Sequence, residues 1–194
     1  MKRILGLMTV VTLVAAPFAI AGGAGVGDPA PDFTLTDLSG DRITLSKIEG
    51  VRVLEWLNPD CPFVQRHYKA GTMKNLEAEY DDKGVTWLTI NSTNYMDAAA
   101  NQKFAKSNGL SQTILVDQDG SVGHLYGAQT TPHMYIVDAG GTIVYAGAID
   151  DDPRGTKGDA TNNYVAAALD EVLAGKAVTT AETKPYGCSV KYAK

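Results

Sequence analysis

The chain has 194 residues, a formal net charge of −5 and 44% hydrophobic residues, enough apolar material for one ordinary domain with its own core. It has no basic run and no basic–aromatic stripe, which argues against a nucleic-acid partner. Its two cysteines, Cys61 and Cys188, allow at most one intramolecular bridge.

Lys2 and Arg3 precede an uncharged apolar run over 4–20 that closes on Ala19-Ile20-Ala21, the pattern of a cleaved export signal. The run is short for a membrane anchor and small residues follow it, so 1–21 reads as a signal peptide with no membrane attachment after cleavage. The protein is then expected in the periplasm or secreted, where a disulfide persists. Residues 22–178 form the expected domain, and 179–194 a flexible tail carrying Cys188.

Pro29-Ala30-Pro31 is extended, because each proline restricts its predecessor. Residues 33–35, a turn at 38–41 and a return over 42–45 predict a hairpin. The mostly apolar run 51–57 suits a strand buried on both faces. Residues 62–80 read as a helix bent at Gly71. A second core strand is expected over 85–90, a helix over 98–108 stopped by Gly109, a strand over 113–117 and a short helical stretch over 122–126. Residues 133–138 and 142–147, joined by Ala139-Gly140-Gly141, are the clearest hairpin. A last helix is expected over 162–174, with Gly175 ending it. This order predicts an α/β fold with a central mixed sheet covered on both faces.

Cys61 lies where the run 51–57 gives way to a helix. Pro62 suits the first helical position, since its missing N–H would be unpaired there anyway. Cys61 is therefore the expected N-cap, its sulfur facing the free amides of Phe63 and Val64 at the positive end of the helix dipole. The thiolate is the reactive form; the dipole favours it, Asp60 opposes it, and Arg66 and His67 help weakly. Cys188 has two readings. It resolves a sulfenic acid or mixed disulfide formed at Cys61, or it forms a permanent bridge worth about 4–5 kcal/mol by chain entropy.

The combination of Gly27-Asp28-Pro29-Ala30-Pro31-Asp32-Phe33-Thr34-Leu35, the turn from Trp56 to Val64 and Thr130-Thr131-Pro132-His133 resembles the thioredoxin-like redoxins, the alkyl-hydroperoxide-reductase/thiol-specific-antioxidant superfamily. Asp60-Cys61-Pro62-Phe63-Val64 with His67-Tyr68, and the ending Pro185-Tyr186-Gly187-Cys188-Ser189-Val190-Lys191-Tyr192, resemble an exported peroxiredoxin-like subgroup. The resemblance implies a thioredoxin-like fold and thiol chemistry on a disulfide or peroxide, with a thiol electron donor and no cofactor. It implies catalytic Cys61 and Cys188, a cis-proline loop at Thr131-Pro132, and a substrate groove of Thr131, Pro132, Trp56, Pro62 and Phe63. Two positions depart from the family. Val64 replaces the second cysteine of C-x-x-C, which excludes dithiol exchange within the turn. Asn58 stands where peroxiredoxins carry Thr or Ser, which argues against peroxide chemistry.

Trp56 is expected to pack beside Cys61, His67 to lie on a helix surface and His133 on a loop or rim. Asp150-Asp151-Asp152 reads as a solvated acidic turn, since it lacks the ligand spacing of a calcium loop. No phosphate loop or Ser/His/Asp elbow is present. Three functions remain open: a thiol oxidoreductase, a binding module with a static Cys61–Cys188 bridge, and a copper-handling protein using Cys61 and His133.

Overall fold

The structure, a computed structural model, describes residues 23–110 and 113–194; the expected signal at 1–21 lies outside the described residues. The strands are β1 (Thr34–Asp37), β2 (Arg42–Thr44), β3 (Val51–Trp56), β4 (Val85–Asn91), β5 (Thr113–Val116), β6 (Thr130–Thr131), β7 (His133–Val137), β8 (Ile143–Gly147) and β9 (Cys188–Ser189). The helices are α1 (Pro62–Ala70), α2 (Thr72–Asp81), α3 (Ala98–Asn108), α4 (Ser121–Tyr126) and α5 (Tyr164–Leu173).

All six residues of β3 are buried, as an apolar strand flanked and covered on every side must be. β3 runs parallel to β4 and antiparallel to β7, and β4 runs parallel to β5. The two expected hairpins close the edges, giving the order β2-β1-β5-β4-β3-β7-β8. Side chains alternate across a strand, so Val53 and Leu57 enter one core while Leu54 and Trp56 enter the other. The first core takes Tyr68 from α1, Met73 and Leu76 from α2, and Val165 and Leu169 from α5. The second takes Phe33, Leu45, and Val122 and Tyr126 from α4. Each buried aliphatic side chain stabilises by about 1.5–3 kcal/mol, so the end of β3, just before Cys61, is clamped from both faces.

Gly71 adopts φ 75°, caps α1 and opens α2; the left-handed conformation turns the expected bend into a break between two helices. Asp97 and Asn163 cap α3 and α5 by accepting from the amides of Ala100 (2.8 Å) and Ala166 (2.9 Å). Leu45, expected in a strand, instead opens a 3-10 turn over Leu45–Lys47 with its side chain in the second core. Among the described residues, no helix is long and apolar enough to cross a membrane.

The largest departure is the C-terminus. The sequence reading leaves everything after Val178 flexible, whereas the structure seats it along the domain. The Ala146 amide donates to the Ala181 carbonyl (3.0 Å) and the Thr183 amide to that of Ala146 (3.1 Å). β9 then pairs antiparallel with β6, placing Cys188 opposite Thr131 and Ser189 opposite Thr130. Beyond it, Val190 enters the second core, and Asn94 Nδ2 donates to the carbonyls of Lys191 (2.7 Å) and Tyr192 (2.8 Å). Buried side chains and satisfied backbone groups hold this segment, and neither leaves a periodic trace in sequence.

Candidate functional site

The turn after β3 delivers Cys61 by local hydrogen bonds. Asn58 accepts from the Asp60 amide through its side chain (2.9 Å) and from the Cys61 amide through its carbonyl (3.0 Å), an Asx-type turn. Cys61 is the N-cap of α1 with Pro62 in its first turn, as the sequence predicts. Its thiol donates to the Thr131 carbonyl at 2.9 Å, and the Thr131–Pro132 peptide bond is cis.

Cys61 is only 1% exposed. What covers it is the tail, which seats Cys188 opposite Thr131, the residue whose carbonyl the Cys61 thiol meets; as N-cap of α1, Cys61 makes no side-chain capping hydrogen bond. Burial pushes the Cys61 thiol up, but hydrogen bonds from the Cys188 thiol, the Val64 and Cys188 amides and the Thr131 hydroxyl outweigh it, so the net shift is downward. Cys188 goes the other way, pushed up to about 11 by burial and then by the hydrogen bond and charge of Cys61. The two sulfurs thus shift in opposite directions, Cys61 toward the thiolate and Cys188 toward the thiol, and neither is bonded to the other here.

Two aromatic anchors bracket Cys188. The Tyr186 ring packs 5.9 Å from that of Phe63, and its hydroxyl donates to Asp150 Oδ1 and lies 3.0 Å from His67 Nε2. Tyr192 stacks on His124 at 3.9 Å and donates to the Ala128 carbonyl at 2.7 Å. Added methyl groups on Gly120 or Gly123 would come within 2.6 Å of its side chain, so the absence of side chains there makes its seat.

The other sequence-nominated residues divide. Pro62 is exposed and Phe63 half-buried at the rim beside Tyr186, while Thr131 and Pro132 lie beneath the tail. Trp56, expected in the groove and beside Cys61, is wholly buried in the opposite core, where its indole donates to Ser92 Oγ at 3.1 Å. Alternation along β3 sends it away from the face that holds Leu57 and Cys61. His67, expected on a surface, is buried because it shares the inner face of α1 with Val64 and Tyr68; burial pushes its pKa down, against the charge of Asp150. His133, expected on a loop or rim, is a buried strand residue in β7. Burial pushes its pKa down to about 4, and its Nδ1 accepts from the Gln129 amide at 3.3 Å.

The acidic run is likewise not a solvated turn. Asp150 and Asp152 are buried. Asp152 accepts the amides of Thr156 (3.0 Å) and Lys157 (2.7 Å), and Arg66 donates to the carbonyls of Asp152 (3.0 Å) and Pro153 (2.8 Å), fastening this loop to α1.

Sequence reasoning missed Glu55. It is wholly buried in β3 and accepts from Tyr68 Oη (3.0 Å), Trp87 Nε1 (2.9 Å) and Thr89 Oγ1 (3.4 Å). Burial raises its pKa to about 7 despite these donors. A lone acid inside an apolar strand was the available signal.

Residues 26–146 match the AhpC/TSA family. The chain belongs to that family. The match takes in Cys61, the Thr131–Pro132 turn and most of the sheet, and it ends before the Asp150 loop and the tail. The architecture is thioredoxin-like, as in solved structures of that fold. Among curated proteins, this family member is similar to the thiol-disulfide oxidoreductase ResA of Halalkalibacterium halodurans, 31% identical over 128 residues, covering 66% of this chain and 70% of that one. Among solved structures, a hypothetical protein of Sinorhizobium meliloti has a TM-score of 0.80 and 29% identity, covering 88% of this chain and 96% of that one. An uncharacterized conserved protein of Geobacillus kaustophilus has a TM-score of 0.79 and 28% identity, covering 93% and 98%.

Proposed function

We propose that the protein is an exported thiol–disulfide oxidoreductase in which Cys61 attacks and Cys188 resolves. The observation that carries this reading is the β6–β9 pairing, which brings Cys188 opposite Thr131 and so near Cys61 at a helix N-terminus. The oxidoreductase class is supported by the likeness to ResA, and export by the pattern of residues 1–21.

The Cys61 thiolate attacks one sulfur of a substrate disulfide, forming a mixed disulfide and expelling the other substrate sulfur as a thiolate. Cys188, once deprotonated, attacks the Cys61 sulfur, forming the Cys61–Cys188 disulfide and releasing the second substrate thiolate. Two electrons pass to the substrate, and an external thiol donor returns them. Part of what holds Cys188 protonated is the hydrogen bond and charge of Cys61. Both vanish when Cys61 enters the mixed disulfide, so the Cys188 pKa falls at the step that needs its thiolate, with burial still holding it up. Thr131, Pro132, Pro62 and Phe63 frame the approach to Cys61. Disulfide is favoured over peroxide as substrate, because Asn58 spends its side chain on the turn itself.

Insulin reduction tests the reading. Cys61→Ser is expected to abolish turnover, and Cys188→Ser to accumulate a mixed disulfide at Cys61. Full activity in both variants would overturn it. The anchored tail favours one other reading, a static staple in a binding module, and a redox titration separates the two: a potential below about −300 mV is that of a staple.

A further inference from the structure

Cys61 and Thr131 are each about 1% exposed, and the tail is what covers them. Among the described residues, β6 pairs with β9 in a separate two-stranded sheet, and that edge of β6 is where Cys188 lies opposite Thr131, beside Cys61. Any polypeptide that brings its own sulfur to Cys61 along this edge must take the place of the tail.

We propose that the tail is a stand-in for the substrate: an extended polypeptide with glycine immediately before its cysteine and a tyrosine two positions before it. This rests on the oxidoreductase reading above and names the substrate class for the same site. Three features of the seat read those positions. The position before the cysteine runs against the Thr131 carbonyl, where a Cβ on Gly187 would fall 2.1 Å from the oxygen, and Gly187 adopts φ 145°. A side chain fits neither that space nor that backbone. The position before that enters a recess between the Phe63 ring, His67 and the buried Asp150 carboxylate. Its hydroxyl donates to Asp150 Oδ1 and lies against His67, so a residue that fills the recess without a hydroxyl leaves that buried oxygen only the Asp152 amide (2.9 Å) and forfeits a charge-assisted hydrogen bond. The recess is built from α1 and the 150–155 loop, so it reads the occupant independently of the strand pairing. When the tail returns to attack the mixed disulfide, it reclaims the edge from the product, coupling resolution to release.

The test uses full-length Cys188→Ser protein and the peptide Tyr-Gly-Cys-Ser-Val-Lys-Tyr with a thionitrobenzoate on its cysteine. Attack by the Cys61 thiolate joins the peptide to Cys61 and releases thionitrobenzoate, which is read by absorbance. The parent peptide is expected to react at least tenfold faster than versions with its first Tyr or its Gly changed to Ala. Adding Tyr186→Ala, which loosens the tail and empties the recess, is expected to speed capture of the parent peptide at least tenfold. If that double variant does not fold, the peptide comparison on Cys188→Ser alone decides. Equal rates for all three peptides, with Cys61 still reacting with a small aromatic disulfide, would overturn the substrate assignment and leave the nucleophile intact. No reaction of Cys61 with peptide or small disulfide would overturn the oxidoreductase reading itself. A tail-exchanged dimer of the Tyr186→Ala variant that excludes the peptide would assign the seat to a second copy and overturn the proposal.

Discussion

Glu55→Gln is expected to stabilise the protein at pH 8 and leave it nearly unchanged at pH 5. Glu55 is wholly buried, and its pKa rises from 4.5 to about 7. Between those two values the folded state binds more protons than the unfolded state, so stability falls as pH rises through this window. The stability lost by ionising Glu55 corresponds to about 3 kcal/mol; the loss is absent below pH 4.5 and complete above pH 7. Glutamine keeps the shape and removes the ionisation. Its carbonyl can accept from Trp87 Nε1 and Thr89 Oγ1 where Glu55 Oε2 now does, and its amide can donate to the Tyr68 hydroxyl oxygen, which rotates to suit. Urea denaturation of both proteins at pH 5, 6, 7 and 8 measures the effect. The gap between the curves is expected to open by about 2–3 kcal/mol from pH 5 to pH 8. Asp117 is also raised by burial, but it is common to both proteins and drops out of the comparison. A constant gap across the range, or a less stable glutamine variant at pH 8, would refute the reasoning.

Gly187→Ala is expected to unseat the tail, because the new methyl group overlaps the Thr131 carbonyl. Native alkylation of Cys61 by iodoacetamide should rise at least tenfold, and air oxidation should no longer yield the Cys61–Cys188 bridge. Cys188→Ala removes a thiol that stabilises the Cys61 thiolate, so the midpoint of pH-dependent alkylation at Cys61 should move up. Asn163→Ala removes the side-chain cap of α5 and should lower stability by about 1 kcal/mol in urea titration without changing Cys61 reactivity.

Much of the fold was legible because its signals are local. Gly71 and Gly109 mark helix ends through a conformation that glycine adopts freely, and the β7–β8 hairpin declares itself by alternation and turn residues. Cys61 as an N-cap follows from Pro62 alone. Two misplacements were avoidable. Alternation along β3 already puts Trp56 and Leu57 on opposite faces, and helical spacing groups His67 with Val64 and Tyr68. The seated tail and the buried acidic loop were not legible in the same way. They depend on Tyr186 meeting Asp150 and His67 from three separate segments, and on room left by Gly120 and Gly123 for Tyr192. Such meetings exist only after the chain has folded.

The seated tail acts on Cys61 in two opposed ways, which is why the two tail variants should behave differently. It excludes water, which disfavours the thiolate, and it brings the Cys188 thiol and amide, which favour it. Cys188→Ala keeps the cover and loses one donor, so burial gains ground and the alkylation midpoint climbs. Gly187→Ala loses the cover and both donors together. Water then solvates the sulfur, while the Val64 amide and the helix N-terminus stay in place. The midpoint should move less than in Cys188→Ala, while the rate rises far more. Lifting the tail therefore changes the reach of Cys61 more than its charge, and a substrate that displaces the tail meets a sulfur that keeps the helix N-terminus beside it. A larger midpoint shift in Gly187→Ala than in Cys188→Ala would mean that the tail acts only as a hydrogen-bond donor and not as a cover.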